Sequence, residues 1–150
     1  MPDPEIGAFT CGIAVCMVIV TVHIVLLHAF SAFLRRRPVG EFSKGRFASE
    51  LRFVLQVIGG LLGISLVTNL LWGAFLDTAG IVPHFRNALF YALENYTSLG
   101  LTRVQVAPEW RTLGPLISLS GVFCLGWSTA ILVTVFNHAY AARPPDHGRG

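Results

Sequence analysis

The stretch ENYTSLGLTR, residues 94–103, carries the polar groups that are best placed to do chemistry in this chain. It combines an acid, Glu94, and a base, Arg103, with hydroxyl side chains and Gly100. A helix that ends just before these residues would carry partial negative charge at its C-terminus, which favours a cation beyond it. Glycine takes the positive φ angles that turn backbone carbonyls toward one side. The stretch therefore predicts a loop whose carbonyl oxygens meet a cation.

Composition places this loop in a membrane protein. Of the 150 residues, 53% are hydrophobic and 13% are charged, a balance too apolar for an ordinary soluble domain. The net charge of +3 does not indicate nucleic-acid binding, because the basic residues lie mostly beside apolar segments. Catalysis is not expected, since the sequence shows no phosphate-binding glycine loop and no carboxylate pair or nucleophile and base at catalytic spacing. No cofactor is expected either.

Three apolar windows are long enough to cross a bilayer, which takes roughly 20 helical residues. They cover residues 9–33, 53–76 and 113–140. The segment HFRNALFYALENYT, between the second and third windows, is apolar over only about ten residues and predicts a re-entrant helix. We therefore expect an all-α membrane protein with three transmembrane helices and a re-entrant pore helix and loop between the last two. The predicted parts are an N-terminal helix (1–34), a basic cytoplasmic loop (35–52), a pore module (53–140) and a disordered cytoplasmic tail (141–150).

The distribution of charge predicts the orientation. Loop 35–52 holds six Lys or Arg residues, which the positive-inside rule assigns to the cytoplasm, and the N-terminus is acidic. The N-terminus is therefore expected outside and the C-terminus inside. Trp72 and Trp110 are expected at the outer membrane interface as aromatic anchors.

A non-helical loop at membrane depth also predicts an oligomer. Lipid cannot satisfy backbone N–H and C=O groups, so such a loop must be buried in protein or line water. One loop supplies too few oxygens to replace the hydration shell of an ion, whereas four around an axis supply enough.

The order of helix, short helix, YTSLGLTR and helix resembles the pore module of the two-transmembrane potassium-channel superfamily. The later GWSTAIL, residues 126–132, is similar to the inner helix of bacterial members. The resemblance covers about 51–140, leaves the first helix as an addition, and implies a homotetramer in a bacterial inner membrane that passes a monovalent cation. It assigns the filter to Thr97, Ser98, Leu99, Gly100, Leu101 and Thr102.

Two of the departures of residues 98–102 from the family pattern TVGYG bear on selectivity. Leu101 replaces the tyrosine and Thr102 the second glycine, so weak or altered selectivity is expected. The alternative is a membrane scaffold or accessory subunit that has the channel shape and does not conduct. In either case the first helix is free to dock a membrane partner or to shield the pore module from lipid.

Glu94 is the most informative single residue, since an acid in an apolar membrane segment is normally paired or functional. It precedes Gly100 by six positions, the offset of an acid that braces the filter loop in inward-rectifier channels. Arg103 is its expected partner. Direct ion or proton binding by Glu94 and a solvated carboxylate are the alternatives.

The third long helix carries small and hydroxylated residues that suit either a cavity lining or close helix packing. Gly121 and Gly126 are candidate gating hinges, and Ser128 and Thr129 are candidate pore-lining residues. On the second helix, Gly59 and Gly63 have the GxxxG spacing of close helix contact.

The histidines of the first helix predict no metal site. His23 and His28 lie roughly 140° apart around the helix. Cys16 shares a face with His23, but two ligands are incomplete for zinc or copper. Helix packing is expected for His23, with pH sensing as the alternative.

Overall fold

The computed structural model describes residues 4–36, 47–101 and 104–141, with the side chains of 5–36, 51–101 and 104–137. Within these ranges all the regular secondary structure is helical and no strand is present. The helices are α1 (Pro4–Arg35), α2 (Phe47–Thr78), α3 (Phe85–Tyr96) and α4 (Leu113–Ala141), with a 3₁₀ turn at Pro108–Trp110 before α4. The expected all-α class is confirmed for the described part of the chain.

Among the described residues, three helices are long and apolar enough to cross a membrane, and their candidate spans are Glu5–Arg35, Leu51–Thr78 and Pro108–Asn137. Helix α2 begins at Phe47, so residues 47–52 of the predicted basic loop are helical. That stretch contains alanine, glutamate, leucine and arginine, which are strong helix formers. Residues 37–46 of this loop and residues 142–150 of the tail lie outside the described residues.

Helix α1 buries a single stripe of side chains against α2 and α4. The stripe repeats every three or four residues, as an inward helix face does, and includes Ala8, Ile19, His23, Leu27, Ser31 and Leu34. Cys16 of α1 contacts Leu116 of α4, and His23, further along α1, contacts Ser128, further along α4. The two helices therefore run in the same direction. Helix α1 is therefore part of one core with the other helices.

The close contact between α1 and α2 occurs at Gly60, where a Cβ atom would collide with the ring of Phe30. Gly59 and Gly63, the pair with GxxxG spacing, have nothing within 4 Å of a Cβ position. Within this chain the expectation of close packing at that pair is therefore wrong. The glycine that faces α1 is Gly60.

Trp72 is fully buried, and its Nε1 donates a hydrogen bond of 3.2 Å to Ser120 Oγ on α4. The expectation of an interfacial anchor is wrong for this residue. The indole nitrogen needs an acceptor when it is buried, and Ser120 provides one inside the protein. Trp110 is half-buried.

Helix α3 is seated between α2 and α4 by glycines. A Cβ atom on Gly73 of α2 would lie 3.1 Å from Leu89 Cα. One on Gly114 of α4 would lie 2.9 Å from Asn95 Oδ1, and one on Gly121 would overlap the backbone carbonyl of Tyr96. The missing side chains let the backbones approach, which is how membrane helices pack closely.

Replacing Gly121 with alanine is expected to destabilise the bundle by about 1–3 kcal/mol, since the new methyl group must push α3 away from α4. Gly126→Ala is the matched control on the same helix, because nothing lies within 4 Å of a Cβ atom there. We expect that control to change stability by no more than about 0.5 kcal/mol. Thermal unfolding in detergent micelles measures both, and equal effects would contradict the seating of α3.

Candidate functional site

The C-terminus of α3 is closed by the loop that follows it. Ser98 has a φ of 58° and Gly100 a φ of 62°, both in the left-handed region. The N–H groups of four consecutive residues turn back onto the last carbonyls of α3, in a Schellman arrangement with serine at the position where glycine is usual. The bonds run from Thr97 to Leu93 O (3.0 Å), from Ser98 to Asn95 O (2.8 Å), and from Leu99 (2.9 Å) and Gly100 (3.5 Å) to Glu94 O.

This cap fixes the direction of the loop carbonyls. The described chain contains no cis peptide bond, and in a trans peptide the N–H and the C=O point in opposite directions. The N–H groups of Ser98, Leu99 and Gly100 point into α3. The carbonyl on the other side of each of these peptide bonds, which belongs to the preceding residue, therefore points away from α3. Three consecutive carbonyl oxygens, those of residues 97–99, therefore face outward at the negative end of the helix dipole.

The predicted filter residues are exposed as far as they are described. Residues 97–101 all lie at the surface of the single chain, with Leu99 62% and Leu101 72% exposed. The hydroxyl of Thr97 donates to Leu93 O at 2.8 Å, so it is bound to its own helix. Thr102 and Arg103 lie outside the described residues.

Behind the loop, α3 is held by side-chain hydrogen bonds. Ser118 Oγ on α4 donates to Asn95 O at 2.7 Å, and Asn95 Nδ2 donates to Tyr91 O at 2.8 Å. The Tyr91 and Tyr96 hydroxyls are neutral at physiological pH at the ordinary tyrosine pKa, and burial raises the pKa of both further. Behind the loop, Ser118 and Asn95 therefore supply the side-chain hydrogen bonds, and the two tyrosines are neutral.

Glu94 is half-buried near the end of α3, and its carbonyl is the acceptor that the cap uses twice. A carboxylate in the last turn of a helix is unfavourable with the helix dipole, so a nearby positive charge would stabilise it. Its expected partner, Arg103, lies outside the described residues. The bracing ion pair stays a prediction.

The four candidate residues on α4 face in different directions. Gly121 and Ser128 are buried inside the bundle, whereas Gly126 and Thr129 are on the exposed face. Thr129 Oγ1 donates to Leu125 O at 2.9 Å. Of the four, Gly126 and Thr129 are the ones placed to line a space outside the single chain.

A polar cluster that the sequence did not predict joins three helices at His23. Its Nδ1 lies 2.7 Å from Thr68 Oγ1 on α2, and its Nε2 lies 3.3 Å from Ser128 Oγ on α4. Thr68 already donates its proton to Ile64 O at 2.9 Å, so its oxygen accepts from Nδ1–H. In the neutral ring, Nε2 then accepts from Ser128. These partners lie 45 and 105 positions from His23 in the sequence, so the sequence does not reveal the cluster. The one sequence feature that pointed to it is the presence of a histidine on an apolar helix.

Serine beside histidine invites comparison with a nucleophile and its base. Ser128 lies in the interior of α4, where the backbone N–H groups are engaged in the helix, so none is available to stabilise an oxyanion. His23 is fully buried. The cluster acts instead as a polar link between helices. No group of three His, Cys, Asp or Glu side chains in the described ranges is placed to hold a metal ion.

Comparison with protein families, with curated proteins and with solved structures finds no match for this chain. The function is therefore inferred from the geometry of the α3 cap and of the loop after it.

Replacing His23 with leucine is expected to lower the free energy of unfolding by about 1–3 kcal/mol, because buried polar partners on α2 and α4 lose their hydrogen bonds. His28→Leu is the matched control, since this exposed ring bonds only to Ile24 O in its own helix at 2.9 Å. That control should change stability by about 0.5 kcal/mol or less. Unfolding in detergent micelles, followed by circular dichroism, would show equal losses if the cluster contributed nothing.

Proposed function

We propose that the protein is a subunit of a homotetrameric cation channel in the lipid bilayer. Residues 97–102 form the narrow part of its pore, and the exposed face of α4, with Gly126 and Thr129, lines the wider part. The N-terminus lies outside and the C-terminus in the cytoplasm. The observation that carries this proposal is the exposed, non-helical loop at the end of α3.

The contacts of α3 support a re-entrant path. Leu89 packs against Gly73, in the last turns of α2, whereas Tyr96 reaches Gly121, close to the middle of the candidate span Pro108–Asn137. The chain then returns to begin α4 at Leu113. A helix that descends to mid-depth and a chain that climbs back to the same end are what a pore helix and its loop require.

The exposure of the loop at that depth argues for an oligomer. Residues 97–101 are non-helical and lie at the surface of the single chain. Lipid does not satisfy exposed backbone groups, so this backbone must meet other copies or water. Both are provided where several copies surround a central axis.

The outward carbonyls of residues 97–99 support a cation as the permeant species. Oxygens from one copy are too few to replace a hydration shell, and four copies around an axis bring enough. The left-handed Ser98 and Gly100 help to hold these peptides in place. The resemblance to potassium channels supports the number four, and the leucine and threonine at positions 101 and 102 support weak or altered selectivity.

A second candidate, a membrane scaffold or accessory subunit that does not conduct, is favoured by one observation. Leu99 and Leu101 are two of the most exposed large apolar side chains of the described residues. In an assembly whose loops meet at a central axis, these large apolar side chains could fill the space at the axis and exclude water from it. In that case the same fold would give a closed, dry centre.

Gly100→Ala tests the pore, because alanine at φ 62° costs about 1–2 kcal/mol of local strain. In proteoliposomes with K⁺, Na⁺ or Cl⁻ gradients, we expect cation flux from the unmodified protein and a roughly tenfold smaller flux from the variant. Gly80→Ala is the matched control, since Gly80 has a φ of 68° and equal free space but lies in the α2–α3 turn. That variant should conduct normally.

A second pair of substitutions tests the bracing of the loop. We expect Glu94→Ala or Arg103→Ala to alter ion selectivity or flux, and the double variant to resemble either single one if the two side chains act as a pair.

Cross-linking and native mass spectrometry would establish whether four copies assemble. A stable tetramer without flux under any gradient would favour the scaffold, and a stable monomer would reject both candidates.

A further inference from the structure

Two buried polar atoms behind the loop have no hydrogen-bond partner among the described residues. They are the Oδ1 of Asn69 on α2 and the hydroxyl oxygen of Tyr96 on α3, in side chains 3% and 2% exposed. Leaving a buried acceptor or donor unsatisfied costs about 1–3 kcal/mol, and native proteins rarely do so. Two such atoms at one helix junction call for a common partner.

Both side chains converge on Ser65. Asn69 lies one turn after it on α2, and Asn69 Nδ2 donates to Ser65 O at 2.9 Å, which leaves Oδ1 as the free end of the amide. The Tyr96 hydroxyl faces the side chains of Ser65 and Cys124, although neither meets the geometry of a hydrogen bond with it. The unsatisfied acceptor on α2 and the unsatisfied donor on α3 are thus both next to Ser65.

We propose that this junction of α2, α3 and α4 is a binding site for a single buried water molecule. The water accepts the Tyr96 O–H and donates one proton to Asn69 Oδ1, and the Ser65 hydroxyl is its third partner. About three bonds to otherwise unsatisfied groups are typical of buried water. A metal cation fits poorly, because the surrounding groups are neutral and the tyrosine stays protonated.

The site would fasten α3 to the middle of α2. At the C-terminal end of α3, a hydrogen bond from Ser118 and the close contact at Gly121 tie the backbone to α4. A bridging water adds the corresponding link to α2, one residue before the exposed loop begins. This inference depends only on the helix packing and is independent of whether the protein conducts.

The first test is a high-resolution map of the unmodified protein in lipid nanodiscs. We expect a single peak about 2.7–3.0 Å from both Tyr96 Oη and Asn69 Oδ1. A direct hydrogen bond of Tyr96 to Asn69, Ser65 or Cys124, with no peak between the helices, would overturn the proposal.

The second test uses the sign of a stability change. If water bridges the two groups, Tyr96→Phe removes a made hydrogen bond and should lower the unfolding midpoint by about 3 °C. If the hydroxyl is simply unpaired, the same substitution relieves a cost and raises the midpoint. Tyr96→Phe in an Asn69→Leu background is the matched control, and there the loss should shrink because the acceptor of the bridge is gone. A raised midpoint, or strictly additive effects, would overturn the bridge. If the variants do not fold, the map of the unmodified protein decides.

Discussion

The position of α3 depends on steric constraints at glycines of α2 and α4, and the tightest is the contact of the Tyr96 carbonyl with Gly121. Any side chain at Gly121 would occupy the space of that carbonyl, so α3 reaches this depth between α2 and α4 because glycine is there. The hydrogen bond from Ser118 to Asn95 O then fixes the end of the helix about one turn away along α4. With α3 held at both points, the Schellman cap sets the direction of each peptide from Thr97 to Gly100. The outward carbonyls follow from this cap, and the seating of α3 sets where in the bundle they lie.

The polar residues of the long helices serve mainly as links between them. Ser120 accepts from Trp72, Ser128 and Thr68 bind the two nitrogens of His23, and Cys16 donates to Leu116 O at 3.9 Å. In lipid, apolar side chains gain little by leaving the solvent for the protein interior, so hydrogen bonds and close backbone packing carry more of the association. Because His23 bonds to both other long helices, α1 belongs to the core of the bundle.

The channel and the scaffold differ in what occupies the space next to the loop. Outward carbonyls at the negative end of α3 suit a hydrated or partly dehydrated cation. The exposed leucines at positions 99 and 101 suit an apolar neighbour. The carbonyls and the leucine side chains belong to the same few residues. The packing of copies around an axis therefore decides whether carbonyls or leucines face the centre of the assembly. Both proposals place the loop within the bilayer, where its backbone requires such a neighbour.

The sequence by itself determined the number of long apolar helices, the short helix before residue 97 and the non-helical turn at Gly100. These features are local, because span length and glycine conformation depend on neighbouring residues alone. Tertiary structure alone decided that Trp72 lies inside, that Gly60 rather than Gly59 or Gly63 meets α1, and that Ser128 bonds to His23 instead of lining a pore. The physical reason is the solvent. A helix in lipid is apolar on every side, so its hydrophobic pattern does not mark the inward face, and the contacts with its neighbours alone choose it.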